Sequence, residues 1–392
     1  MSRRSLLILA LAAVVPGAGC ESDPAGPPLG AAADAPAAVS WNEVLLEIVA
    51  AHPWTPPHAA RAYAYLGVAQ REALLELAQG PGASSRVAAR AAVATASAAI
   101  LRELYPVEEA RIARALRALR PRAGAFPMRA QIDLGDAAGA RAAQRLVERA
   151  RADGYDAAWE GELPGGEGVW FSSPGEPPVA PLAGRMLPWS MASVEAFDPG
   201  PPPAYGSPAF LEDLAQVRAF SDQRSAEMTS IARFYEYGPG TPSPAGQYVA
   251  LAGELILRHG LDELGAARTY ALLGMAMADA GIACWHAKYE YMVMRPSQID
   301  DAITLVVALP NFPAYPSGHS SFSGAAEVVL SNLFPSEAAM IRAFAEENGL
   351  SRVYGGVHFE FDNQAGLELG RRIAPAVLSA DGRPAPPALA AR

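Results

Sequence analysis

The stretch from Phe312 to Gly324, Phe-Pro-Ala-Tyr-Pro-Ser-Gly-His-Ser-Ser-Phe-Ser-Gly, concentrates residues suited to holding an anion. Pro316 restricts φ ahead of a Ser-Gly step, Gly318 lets backbone N–H groups come close to a ligand, and apolar residues from Phe322 onward recur at helical steps. The pattern predicts a helix starting beside His319, whose first turn carries unpaired N–H groups and the positive end of the helix dipole. Taken alone, Ser317-Gly318 also fits an ordinary turn with a serine cap. Two further clusters favour the anion. Upstream, Lys288 and Arg295-Pro296 stand seven residues apart, a spacing that returns to nearly the same face of one helix. Downstream come Ser351-Arg352, His358 and Asp362. Three cations, two imidazoles and a carboxylate four residues from one of them make an oxyanion site, because guanidinium and ammonium donors match tetrahedral oxygens.

In this order and at these spacings, Lys288, Arg295-Pro296, Pro316-Ser317-Gly318-His319, Ser351-Arg352, His358 and Asp362 resemble the signature of the phosphatidic acid phosphatase type 2 superfamily. That superfamily includes acid phosphatases and vanadium-dependent haloperoxidases. Direct resemblance covers roughly residues 285 to 370. Trp285, three positions before Lys288, and Phe312, five before Ser317, resemble the placements of vanadium chloroperoxidases; both are equally compatible with core packing. The resemblance implies a vanadate cofactor with His358 as its only direct protein ligand. Lys288, Arg295, Arg352, Ser317 and the Gly318 N–H would hold its oxygens, and His319 would act as acid and base. Asp362 would orient His358. The implied reactants are hydrogen peroxide, a halide and a small organic acceptor. The same residues imply, as the alternative, a phosphatase that hydrolyses phosphomonoesters through a phosphohistidine. A third reading is an anion-binding protein without turnover, for which the paired acid and nucleophile would have little use.

Positioning these groups falls to helices. Apolar residues recur at three- and four-residue steps over 42–51, 58–78, 84–104, 108–119 and 128–152, then over 210–220, 225–235, 245–259 and a long run from 263 to 294 that carries Trp285, Lys288 and Arg295. Between the two halves, residues 155–206 lose all helical period and alternate Pro-Gly clusters with Trp159, Trp170, Phe171 and Trp189. Loops of that length are functional or linking, and this one is expected to wrap the helices and help form the site mouth. The fold class is all-α, helical bundles with the anion site in the core between facing helices. A helical half at 41–154 and a catalytic half at 207–380 belong to one domain running from 41 to 392, and the Ala-Pro tail after Gly382 is expected to be disordered.

The remaining candidates are weaker. His52 and His58 flank a proline-rich turn, but two loosely placed imidazoles do not make a metal site. Glu236 stands near where haloperoxidases carry an acid that holds an active-site arginine, shifted by one position. His259 suits a helix end, and His286 faces away from Lys288.

Residues 1–20 read as a signal peptide, with Arg3-Arg4 before an apolar stretch from Leu6 to Val15. Cys20, after Gly17-Ala18-Gly19, resembles a lipoprotein processing site. Export to the periplasm or cell surface follows, with membrane contact only through a lipid anchor at Cys20 and a flexible linker at 21–40. Once the signal is removed, Cys284 is the only cysteine besides Cys20. A net charge of −10 argues against nucleic acid as a partner.

Overall fold

Small residues let these helices approach closely, and that determines which ones pair. A computed structural model describes residues 35–52, 54–80, 85–122, 124 and 126–381. The stretch read as a signal peptide, Cys20 and most of the stretch read as linker lie outside the described residues, as does the tail from Gly382. Among the described residues are thirteen α-helices and no β-strand. The first half comprises α1 (Ala37–Ala51), α2 (Pro56–Ala78), α3 (Arg86–Leu104), α4 (Glu109–Leu119) and α5 (Met128–Arg151). The second comprises α6 (Pro208–Asp222), α7 (Ala226–Phe234), α8 (Ser243–Arg258), α9 (Glu263–Tyr291), α10 (Pro296–Ile299), α11 (Gly318–Leu333), α12 (Ala338–Tyr354) and α13 (Glu360–Ser379).

The axis of the molecule is α9, buried on every side from Ala266 to Trp285 except at Arg268, as expected for a helix apolar all round. Asp262 starts it, its carboxylate accepting the Gly265 N–H at 2.8 Å. α2 runs antiparallel along it: a Cβ at Gly274 would fall 2.7 Å from the Ala64 Cα, so only glycine admits this approach. α11 and α13 meet as closely, a Cβ at Gly370 falling 2.2 Å from the Ser321 carbonyl. α3 and α5 are parallel, with Ser85 bonded to Gln131 at one end and Arg151 to Glu103 at the other.

Two expectations need correcting. The stretch read as linker is helical from Ala37, and Ala37 to Val39 are buried, because the Glu263 carboxylate accepts the Ala37 and Ala38 N–H groups at 2.9 and 2.8 Å. Secondly, α9 stops at Tyr291, where Met292 adopts a left-handed conformation at φ 48. Arg295 therefore lies outside the helix that carries Lys288, and their convergence does not come from helical period.

The irregular segment does wrap α9. Trp189 and Ser190 donate backbone N–H groups to the buried Asp279 carboxylate at 2.7 and 2.8 Å, and the Ser190 hydroxyl adds a third bond. Further along, Trp170 N–H bonds the Met292 carbonyl at 2.7 Å. The Val179 carbonyl accepts from Tyr289 Oη at 2.8 Å and from Trp285 Nε1 at 3.4 Å.

Candidate active site

Five elements bring the three clusters together. The last turns of α9 supply Trp285 and Lys288. The chain then turns at Met292 and places Arg295 at the start of α10. Ser317 caps α11, its Oγ accepting the Ser320 N–H at 3.3 Å, so Gly318 and His319 occupy the first turn, where N–H groups lack intrahelical acceptors. Arg352 lies near the end of α12, His358 just before α13 and Asp362 in its first turn.

His358 and Asp362 behave as their spacing predicts. The Asp362 carboxylate accepts from His358 Nδ1 at 2.9 Å and from the Phe359 N–H at 3.0 Å, orienting the imidazole and capping the helix with one oxygen. The proton thus sits on Nδ1 and the Nε2 lone pair points elsewhere. Burial holds the imidazolium form of His358 well below the usual range, reinforced by Arg295 and Lys288. His319 is held down in the same way by burial and then by Arg352; its Nε2–H donates to the Glu236 carbonyl at 3.1 Å. Both rings are neutral at rest.

The cations are unequal. Lys288, fully buried, gives all three protons to carbonyls, those of Pro313, Ala314 and Pro316, at 2.8, 2.8 and 2.6 Å. Burial pushes its amine down, yet three carbonyl acceptors require an ammonium. Lys288 therefore ties the loop before α11, and its charge reaches the site through space rather than by a free N–H. Arg295 donates Nε to the Phe312 carbonyl at 3.0 Å and Nη1 to the Val357 carbonyl at 2.8 Å and His358 Nε2 at 2.9 Å. Its Nη2 is buried without a partner. Burial lowers Arg295 to about 9 and Arg352 to about 10, so both stay charged at neutral pH. Arg352 bonds the Ala232 carbonyl at 3.1 Å.

Among the buried groups these three cations face one carboxylate, Asp362, a formal excess of two positive charges, with the half-buried Glu236 adding one negative charge beside Arg352. An unpaired guanidinium nitrogen, a Ser317 hydroxyl and the first-turn N–H groups are all donors, so the donor set suits a tetrahedral oxyanion such as vanadate or phosphate. Among the described residues no group of three or more His, Cys, Asp or Glu side chains gathers to hold a bare metal ion.

A cavity of about 30 Å³ lies among Trp285, Phe312, Gly318, His319, Arg352 and His358. Pro56, Pro244 and Pro310 also line it. The spacing of the motif residues signals none of these prolines, which come from helices and loops far apart in the chain. No side chain of the 155–206 segment lines it; that segment backs the wall through Val179. Phe312 packs on Trp285 with ring centroids 5.0 Å apart, and Lys288 Nζ and Arg295 Cζ lie 5.1 and 4.9 Å from its ring. Both aromatics thus serve packing and site at once. A larger cavity, about 330 Å³, is lined by Trp159, Pro181, Leu182, Arg185 and Tyr289 among others and contains none of the cluster residues.

The other candidates have ordinary partners. Glu236 accepts the Ala308 N–H at 3.0 Å and acts on Arg352 only through its charge. His52 pairs with Glu108 at 2.8 Å, His58 with Thr55 at 2.8 Å and His259 with Glu337 at 3.2 Å. His286 packs against Gly184 of the irregular segment. The buried Cys284 thiol, pushed up by burial, lies 3.5 Å from the Pro316 carbonyl.

Residues 269–383 match the family model of the PAP2 superfamily. A non-specific acid phosphatase of Providencia stuartii is 31% identical over 170 residues, 42% of this chain and 66% of its own length. A vanadium chloroperoxidase of Curvularia inaequalis is 38% identical over 79 residues, 15% of this chain and 13% of its own. The chain thus spans just under two thirds of the phosphatase and a small part of the chloroperoxidase. The crystal structure of a bacterial vanadium-dependent iodoperoxidase superposes with a TM-score of 0.76 at 24% identity, covering 89% of this chain and 97% of that one. At that identity the likeness is one of fold.

Proposed function

We propose that this chain, a member of the PAP2 superfamily built on the fold of the vanadium-dependent haloperoxidases, is itself a vanadate-dependent haloperoxidase that oxidises halide with hydrogen peroxide and halogenates an organic acceptor. The observation that carries this reading is the oriented, neutral His358 inside a buried excess of two positive charges, walled by Trp285 and Phe312. Bound vanadate would supply the Lewis-acid centre that activates peroxide toward halide.

The residues divide the remaining work. Asp362 keeps the proton on His358 Nδ1 and so presents Nε2 as the ligand. In this reading Arg295 Nη2, the Ser317 hydroxyl, the Gly318 N–H and Arg352 would donate to oxyanion oxygens, while Lys288 would contribute charge. His319 moves the proton. Its Nε2–H is committed to the Glu236 carbonyl, so Nδ1 is the nitrogen that takes up and releases a proton. Neutralising the two excess charges with an oxyanion raises its proton affinity toward the working range. Overall, halide, peroxide and one proton give hypohalous acid and water.

Phosphomonoester hydrolysis is the second reading, favoured by the 31% identity to the Providencia phosphatase. His358 Nε2 would attack phosphorus, His319 would protonate the leaving oxygen, and water would then hydrolyse the phosphohistidine. Purified protein assayed for halide oxidation by peroxide, with and without added vanadate, beside hydrolysis of a generic phosphomonoester, separates the two. Vanadate-dependent halide oxidation is expected; clear ester hydrolysis without halide oxidation at any pH overturns the first reading.

A further inference from the structure

The chain carries a net charge of −10, yet the 21 residues from Glu109 to Arg129 hold six arginines and a single acid. Arg114, Arg117, Arg122 and Arg129 are exposed. In the same stretch Phe126 is 85% exposed and Met128 41%. An exposed aromatic flanked by unpaired arginines is an uncommon surface for an acidic soluble chain. It has the composition of a membrane-interface patch, apolar tips for the acyl boundary and cations for anionic headgroups.

The fold says which end of the molecule this is. Phe126 and Met128 sit at the start of α5, and Ser85 joins the start of α3 to Gln131 at 2.9 Å. One turn along α3, Arg90 donates to the Ala35 carbonyl at 2.9 Å, and Ala37 and Ala38 are fastened to Glu263 at the start of α9. The chain therefore enters the described body at the end that carries the patch. Residues 1–34 precede that point and include the apolar run from Leu6 to Val15 and Cys20.

The catalytic groups occupy the opposite end. From Glu263 to Lys288 along α9 is about 38 Å at 1.5 Å per residue. α2 is antiparallel to α5: Arg61, one turn from Pro56 of the cavity, pairs with Asp153 just past the end of α5 at 2.6 Å. With its 24 residues, α5 separates that pair from Met128 by about 36 Å.

We infer that the Phe126–Met128 tip and its arginines rest on an anionic phospholipid surface, with the active-site cavity held at the end of the molecule away from the bilayer. The substrates are then water-soluble molecules rather than lipids of the same membrane. The orientation is independent of which reaction the site performs.

Sedimentation of the full chain with vesicles of pure phosphatidylcholine, and with vesicles containing phosphatidylglycerol, tests this. Any contribution of residues 1–34 is common to all variants. Binding is expected to be stronger on the anionic vesicles and to weaken with salt. The triple variant Arg117→Gln, Arg122→Gln, Arg129→Gln should reduce that affinity at least tenfold, with unchanged melting and unchanged turnover of soluble substrate. Phe126→Trp reads the site directly: its fluorescence should be quenched by brominated phosphatidylglycerol. Equal binding of the triple variant and the parent to anionic vesicles overturns the proposal. So does an unquenched Phe126→Trp on bound protein, or a dimer that Phe126→Asp abolishes.

Discussion

Arg295 Nη1 stands 2.9 Å from Nε2 of His358, donating to the nitrogen that Asp362 leaves free on the opposite side of the ring. The lone pair expected to bind vanadium or phosphorus is thus capped by a cation, and the neighbouring Nη2 has no partner at all. Binding of an oxyanion must exchange the Nη1 bond for one to an anion oxygen. Arg295→Met should consequently weaken phosphate or vanadate binding by about 10- to 100-fold, the range for a lost charge-assisted bond. It should also raise the proton affinity of His358, since Arg295 is among the causes that depress it. Calorimetric titration and imidazole NMR measure the two effects; tighter binding with an unmoved His358 titration would refute this account of the pair.

The two histidines should separate binding from turnover. His358→Ala removes the coordinating nitrogen and should lose most vanadate affinity and all activity, although the cations remain. His319→Ala should retain vanadate and turn over more slowly by roughly 10² to 10⁴, typical of a missing general acid. Equilibrium vanadate titration beside steady-state rates checks both; the opposite pattern would reverse the assignments.

Phe312 contributes only an apolar face, with Lys288 and Arg295 close to its ring. Phe312→His introduces a hydrogen-bonding group there and should shift the bromide-to-chloride rate ratio about 2- to 10-fold, the worth of one net hydrogen bond. An unchanged ratio would make Phe312 packing alone.

His58 offers a pH test away from the site. Burial and then Arg61 lower its pKa to about 4. With an unfolded value near 6.5, the unfolded chain binds the extra proton between pH 6.5 and 4, so stability is full above that window and falls as pH drops through it. His58→Gln, which can still bond Thr55, removes this term. The stability of the native protein relative to the variant should decline by on the order of 2 to 3 kcal/mol from pH 7 to pH 4. Parallel denaturant melts at the two pH values measure it, and curves that stay parallel would place the His58 pKa near its ordinary value.

What the sequence determined by itself is local. Ser317-Gly318-His319 start a helix because a serine cap and a glycine beside it act within one turn. Asp362 meets His358 because four residues span a single turn at the start of α13. The all-helical class follows from residue period in the same way, as does the irregular character of 155–206. Tertiary structure decided everything that depends on chain reversal or on distant packing. Lys288 and Arg295 converge because Met292 turns the chain, whereas spacing alone put them on one helix. The Pro313, Ala314 and Pro316 carbonyls absorb every proton of Lys288, Glu236 serves through its carbonyl as well as its side chain, and two remote prolines, Pro56 and Pro244, line the cavity. Ala37 is fastened at the start of α1 by Glu263, 226 residues away, which accepts its N–H. Each such contact joins groups separated by many residues, and its energy depends on how whole helices pack, which residue spacing does not encode.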